Sequence, residues 1–178
     1  MKVEELNRKF QLIRRPQKRA LEQQNFLDSP VQGQLFPVPK DHLIVFLEFP
    51  RISDEEFTTV LQWVKPSAVL ELRRVPRFDV GQLNRKAAFR FFREAQATYF
   101  DLAANVTVEY FTPNDAIDLV DGFLKRSAER IEGPVVVLIN QDGFDSAPEQ
   151  ERIADGIVKA FTTHFKHRWE SVKVPQFA

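Results

Sequence analysis

Seven basic side chains are concentrated between Arg73 and Arg93, in a chain of 178 residues whose formal net charge is zero. The only acid in that stretch is Asp79. The basic residues are Arg73, Arg74, Arg77, Arg85, Lys86, Arg90 and Arg93. Planar guanidinium groups bind phosphate or carboxylate oxygens in pairs, so this density of arginine is typical of a site for an anionic ligand.

These basic residues begin directly after a predicted strand, residues 68–72, and continue into a helix that Asn84 is placed to cap. In an open α/β sheet, backbone N–H groups and the helix dipole favour anions at such a junction. We therefore predict that Arg73, Arg77 and Arg85 contact a ligand. The alternative is that one or two of the arginines pair with acids such as Glu71 or Asp79, and that the others are solvated.

The same helix interleaves phenylalanine with arginine in the run A-A-F-R-F-F-R, residues 87–93. Exposed, the rings of Phe89, Phe91 and Phe92 would be able to stack on nucleic-acid bases. We favour burial, because three exposed rings on one helix would promote aggregation. The seventeen phenylalanines of the chain accordingly indicate core packing.

Acidic residues give a second, catalytic hypothesis. Asp142 and Asp145 follow the most apolar predicted strand, and two carboxylates in such a loop are able to hold Mg²⁺ or act as acid and base. Glu71 is a further candidate catalytic residue. The sequence D-G-F-D-S, residues 142–146, is equally typical of a turn followed by a helix cap.

Metal and cofactor signals are weak in this sequence. His164 and His167 have a spacing that suits a metal, but no third ligand is evident, so no metal site is predicted. The chain has no G-x-G-x-x-G, P-loop or G-x-S-x-G motif, and its six glycines offer no nucleotide-cradling loop. We predict no cofactor.

Apolar strand-length runs alternate with amphipathic helix patterns from residue 41 to residue 178. This order predicts an α/β domain with three layers, doubly wound around a mostly parallel sheet of four or five strands. Residues 1–40 predict a separate, partly helical basic arm with a proline-rich linker. No internal repeat is present.

Charge is distributed unevenly along the chain. Residues 1–40 contain eight Lys/Arg and four acids, so the remainder carries a net charge of −4. Residues 115–155 contain ten acids and four bases. Such a bipolar field can steer a polyanion or orient a protein partner, for which the arm is a candidate contact.

Several classes of protein are disfavoured by composition. No apolar run approaches the ~20 residues of a membrane span, and the amino terminus has no apolar signal region. The chain has no cysteine, which excludes disulfides and thiol catalysis within it. We therefore expect a cytoplasmic protein that is not a membrane protein.

The segment L-E-L-R-R-V-P-R-F, residues 70–78, resembles the bacterial family called domain of unknown function 488. That family has a strand ending in D-V-R-x-x-P-x-S, and its late strand and helix are similar to residues 134–140 and 151–158. The resemblance implies that Arg73, Pro76 and Arg77 occupy family positions, and that Arg152 stands at a late arginine of the family. Glu71 and Phe78 depart from the family pattern, and the family's late cysteines and histidine are absent.

Together these patterns predict an anion-binding module. Arg73, Arg77, Arg85 and Arg152 would lie at the carboxyl edge of the sheet and hold a nucleic acid, a nucleotide or another phosphorylated ligand. Two alternatives stay open. The first is a non-catalytic subunit of a protein complex, and the second is a hydrolase or transferase that uses Asp142, Asp145 or Glu71.

Overall fold

The structure is a computed structural model that describes residues 42–49, 52–79, 83–104, 106, 112–140 and 147–173. The chain divides into two compact units, Met1–Val38 and Pro39–Ala178, and every element named below belongs to the second unit. The predicted basic arm, residues 1–40, lies outside the described residues.

Five parallel strands form one sheet, which confirms the predicted α/β class. In chain order they are β1 (Leu43–Phe49), β2 (Ala68–Glu71), β3 (Thr98–Asp101), β4 (Val135–Asn140) and β5 (Glu170–Lys173). Their spatial order is β3-β2-β4-β1-β5, and all four neighbouring pairs are parallel. Because β1, β2 and β4 are central, they are covered on both faces and read as continuous apolar runs.

Four α-helices connect the strands: α1 (Asp54–Val64), α2 (Arg85–Glu94), α3 (Pro113–Ser127) and α4 (Ala147–Phe165). Ser53 and Glu56 form the predicted capping box of α1. The side chain of Asn84 accepts a hydrogen bond from the N–H of Ala87, so it caps α2 as predicted. Within the described part of the chain, no helix is long and apolar enough to cross a membrane.

The helices lie on both faces of the sheet. Val120 of α3 and Ile157 of α4 belong to one apolar cluster with Phe46 and Leu70 of the sheet. The next residues along β2, Val69 and Glu71, point to the opposite face, since side chains alternate along a strand. That face is packed against α1 and α2, where aromatic contacts join the helices to the strand ends. The three-layer, doubly wound architecture is thereby confirmed.

The strand order brings the end of β2 beside β4, and the chain leaves these two neighbours toward different faces. After β2 it enters α2, and after β4 it enters α4 in the opposite layer. In doubly wound folds this reversal at the carboxyl ends of neighbouring strands opens the position where ligands bind. The arginine-rich turn after β2 therefore begins at a structurally favoured edge.

Close packing of α3 against α4 depends on Gly156. A Cβ atom at this position would lie 2.7 Å from Cγ1 of Ile117 and closer still to its Cδ1. We expect Gly156→Ala to lower the free energy of unfolding by about 1 kcal/mol, because overpacking of about 1–3 kcal/mol exceeds the helix-propensity gain of about 1 kcal/mol. Urea unfolding of the full chain measures the change.

Gly122 in α3 is the matched control. A Cβ atom there would meet the mobile guanidinium of Arg126 at 3.4 Å and no backbone. Gly122→Ala should therefore raise the free energy of unfolding by about 0.5–1 kcal/mol. Equal stabilisation by the two substitutions would show that α3 and α4 are not packed as closely as described.

Candidate functional site

The candidate site begins where β2 ends. Leu72 continues the strand direction, and its N–H donates to the carbonyl of Leu138 in β4 at 3.0 Å. Because side chains alternate along a strand, Glu71 and Arg73 point toward the layer of α1 and α2. Leu72 points to the other face and belongs to the apolar cluster there. Glu71 and Arg73 are 0% and 2% exposed. A carboxylate and a guanidinium are thus enclosed side by side at the strand end.

Glu71 and Arg73 form a bidentate ion pair. Nε of Arg73 donates to Oε1 of Glu71 at 2.7 Å, and a terminal guanidinium nitrogen donates to Oε2 at 2.6 Å. The backbone N–H of Arg73 also donates to Oε1, at 3.0 Å. Two parallel charge-assisted bonds make this the strongest geometry available to such a pair.

Aromatic rings enclose the guanidinium of Arg73. Its central carbon lies 4.1 Å from the ring centroid of Phe49, at the end of β1, and 4.7 Å from that of Phe78. Phe49 and Phe78 also contact each other, with centroids 5.9 Å apart. The rings exclude water while their faces attract the positive charge, which offsets part of the desolvation of the pair.

Tyr99, in β3, completes the environment of the carboxylate. Its hydroxyl donates to Oε2 of Glu71 at 3.2 Å, and its ring packs against Phe89 and Phe92 of α2. Glu71 therefore accepts four hydrogen bonds, which is about the number a carboxylate can take. Desolvation, followed by the negative charge of Glu71, raises the pKa of Tyr99 above its usual range.

The third contact of Arg73 shapes the turn that follows. Its other terminal nitrogen donates to the carbonyl oxygen of Arg77 at 2.7 Å, so the guanidinium closes the segment Arg73–Arg77, called here the 73–77 turn. Phe78 then anchors the chain against α2 through Phe89 and Phe92. The turn consequently presents Arg74, Val75 and Arg77 to solvent, and Val75 is 61% exposed.

On α2 the basic side chains face outward. Ala88 and Phe92 are buried, whereas the four cations of the helix are exposed. Arg85 lies over the ring of Phe89 at 5.3 Å, and Arg90 approaches Glu94 at 3.7 Å. The exposed cations of the turn and the helix define what we call the basic surface: Arg74, Arg77, Arg85, Lys86, Arg90 and Arg93.

The four predicted ligand residues therefore fall into three environments. Arg77 and Arg85 are exposed on the basic surface, and Arg73 is buried with Glu71, as the alternative interpretation predicted. Arg152 lies on α4, in the opposite layer, where it donates to Asn114 of α3 at 3.0 Å. The structure thus brings Arg73 and Arg77 into contact and places Arg152 in another environment.

Of the candidate catalytic acids, only Glu71 falls within the described residues. Asp142 and Asp145 lie outside the described residues. Glu71 is buried and its oxygens are occupied by Arg73 and Tyr99. His164 contacts Asp121 at 2.9 Å, and the described residues contain no group of three potential metal ligands.

Two residues that contact the ion pair, Tyr99 and Phe49, were not predicted from the sequence. Tyr99 was visible only as part of a β-prone piece, and Phe49 as one of many apolar strand residues. Their role depends on the ends of β1 and β2 meeting the side chain of the second residue of β3, a contact between three strands that no local pattern contains. Comparison with known proteins adds nothing to the assignment, since no family model, curated protein or solved structure matches the chain.

The ion pair gives a first prediction for this site. Arg73→Met should lower the free energy of unfolding by about 3–5 kcal/mol, because it leaves the carboxylate of Glu71 buried and unpaired. Adding Glu71→Met should restore part of that loss, because the uncompensated charge disappears with it. Denaturant unfolding of the two single variants and the double variant completes the cycle. Additive losses would contradict a coupled, buried pair.

Tyr99 gives a second prediction, for alkaline pH. Because its pKa is raised in the folded chain, the stability from the neutral phenol is complete below the unfolded pKa of about 10 and is lost as the pH rises toward the folded value. Tyr99→Phe should remove this part of the alkaline destabilisation. Unfolding free energies between about pH 8 and pH 11 measure it. Parallel curves for the two proteins would contradict the assignment.

Proposed function

We propose that this protein is an anion-binding α/β module and that the basic surface is its ligand site. The observation that carries the proposal is the division of the cations of residues 73–94 between the interior and the surface. Arg73 is neutralised inside by Glu71, and the other six cations of the stretch are all exposed. Only Asp79 and Glu94 oppose them in this stretch of the sequence.

The start of α2 supports the proposal. Its first turn contains Arg85 and Lys86 and no acid, whereas α1 in the same layer begins with Asp54, Glu55 and Glu56. Cations near a helix amino terminus are unfavourable, because the dipole is positive there. A bound anion removes this repulsion and receives both side-chain and dipole attraction.

The buried ion pair supports the proposal in a second way. An ion pair enclosed by aromatic rings is an expensive way to stabilise a fold, since apolar residues of similar size often do as well. Here it holds the backbone carbonyl of Arg77 and so fixes the backbone position from which an exposed cation extends. We assign Arg73 a positioning role and Arg77 a ligand contact.

The resemblance to the domain of unknown function 488 family remains part of the proposal. It rests on the R-x-x-P segment of the sequence, which follows a strand, a helix and a strand. Arg152, the late arginine that the resemblance implies as a ligand residue, does not belong to the basic surface. Its position in the opposite layer makes its substitution a discriminating control.

The test is a comparison of two charge-reversed pairs. The variant Arg77→Glu with Arg85→Glu should weaken binding of fluorescein-labelled heparin at least ~10-fold at low salt. Two attractive contacts with the anionic groups of heparin are removed, and two repulsive carboxylates are added. The control is Arg130→Glu with Arg152→Glu, two exposed arginines outside the basic surface, in the turn before β4 and on α4. It changes the net charge equally and should retain most of the affinity. Fluorescence anisotropy of the full-length proteins measures both.

Either of two results would contradict the proposal. If the wild-type chain does not bind heparin at low salt, the basic surface is not an anion site. If the control pair loses affinity and the first pair does not, the site lies at Arg152 instead.

A further inference from the structure

The cations of α2 form an extended stripe. Lys86, Arg90 and Arg93 are spaced i, i+4 and i+7, so they share the outward side of the helix, opposite the buried Ala88 and Phe92. At 1.5 Å per residue the stripe spans about 10 Å. The rises between neighbouring cations are about 6 Å and about 4.5 Å, and side chains of this length are able to reach successive phosphates along one nucleic-acid strand.

A compact ligand fits this arrangement poorly. Arg73 is the guanidinium nearest the strand end, and it is turned inward, where Glu71 and the Arg77 carbonyl occupy it. The remaining cations are all exposed and follow one another along the turn and the helix. A mononucleotide would reach only part of this row, whereas a polyanion would engage it along its length.

A single-stranded nucleic acid would lack the base-stacking contacts that usually add to its binding. Proteins that bind single strands stack bases on exposed aromatic rings. The rings of α2 are engaged elsewhere: Phe89 and Phe92 pack on Tyr99, and the guanidinium of Arg90 lies 5.1 Å from the centroid of Phe91. Within the described residues of the basic surface, Phe91 is the one half-buried ring left beside the cations, so there is no row of rings on which successive bases could stack.

These observations favour a ligand whose phosphates are already ordered in a row. We infer that the basic surface binds the sugar–phosphate backbone of a double-stranded nucleic acid, with Lys86, Arg90 and Arg93 on consecutive phosphates of one strand. This inference rests on the proposed function and specifies its ligand class. The pair between Arg90 and Glu94 does not oppose it, because both side chains are exposed and such pairs are weak.

The test is anisotropy with labelled duplex DNA, duplex RNA and single-stranded DNA of equal length, using the full chain at about 50 mM and about 200 mM salt. Duplexes should bind about 10-fold tighter than the single strand at the lower salt, and log K should fall with log[salt] with a slope of about −5. The two duplex arms show which nucleic acid supplies the backbone. Inorganic phosphate and ATP at micromolar concentration should not compete.

Two variants identify the contact. The triple substitution Lys86→Gln, Arg90→Gln and Arg93→Gln should reduce the magnitude of the salt slope by about 3, because three phosphate contacts are lost. Val75→Ser is the matched control, since Val75 is exposed beside the cations and carries no charge. It should leave both affinity and slope unchanged. Unfolding midpoints of the variants, which alter only exposed positions, verify that each is folded.

The outcomes separate this inference from the proposed function. Equal or tighter binding of the single strand, competition by micromolar ATP, or an unchanged slope in the triple variant overturns the duplex assignment while anion binding stands. Loss of affinity in Val75→Ser overturns it too, because the turn would then act by apolar contact. Absence of binding to every nucleic acid and to heparin overturns both.

Discussion

The buried ion pair between Glu71 and Arg73 is the interaction on which this edge of the sheet depends. Two charges removed from water are tolerated only when nearly every hydrogen-bonding position is used. Here the requirement is met from several elements: β3 supplies the hydroxyl of Tyr99, β1 the ring of Phe49, and the turn the Arg77 carbonyl. The pair therefore joins the ends of β1 and β2, the edge strand β3 and the turn that follows β2.

This constraint also sorts the charges of the arginine-rich segment. Alternation along β2 sends Arg73 inward, and the closed turn leaves Arg74 and Arg77 outside. In the helix that follows, further cations lie on the exposed face, opposite the buried Phe92. A segment that is dense in arginine thus contributes one structural cation to the interior and a row of exposed cations to the surface. The proposed anion-binding function follows from that row.

Much of the fold was predictable because its determinants are local. The apolar runs of β1 and β4, the capping box of Ser53 and the cap at Asn84 each depend on residues a few positions apart, and all are confirmed. β3 was recognisable as β-prone, but its place at the sheet edge is set by strand order, which no local pattern specifies.

The site was less predictable than the fold, because its contacts are between elements. Pairing of Arg73 with Glu71 was foreseeable as one of two interpretations, since the residues are two positions apart. The enclosure that decides between burial and exposure comes from Phe49 and Tyr99, which are distant in sequence. The separation of Arg152 likewise follows from the winding of α4 onto the opposite face, which sequence spacing does not reveal.

An NMR titration that follows the arginine Nε–H resonances of the full chain, as a short duplex DNA is added, distinguishes the buried arginine from the exposed ones. We expect the Nε–H of Arg73 to be protected from exchange and to keep its shift, while those of Arg77 and Arg85 move with ligand concentration. A ligand-dependent shift of Arg73 with exchange as fast as that of an exposed arginine would contradict this expectation. Arg73 would then be part of the binding surface, and not a buried residue that positions that surface.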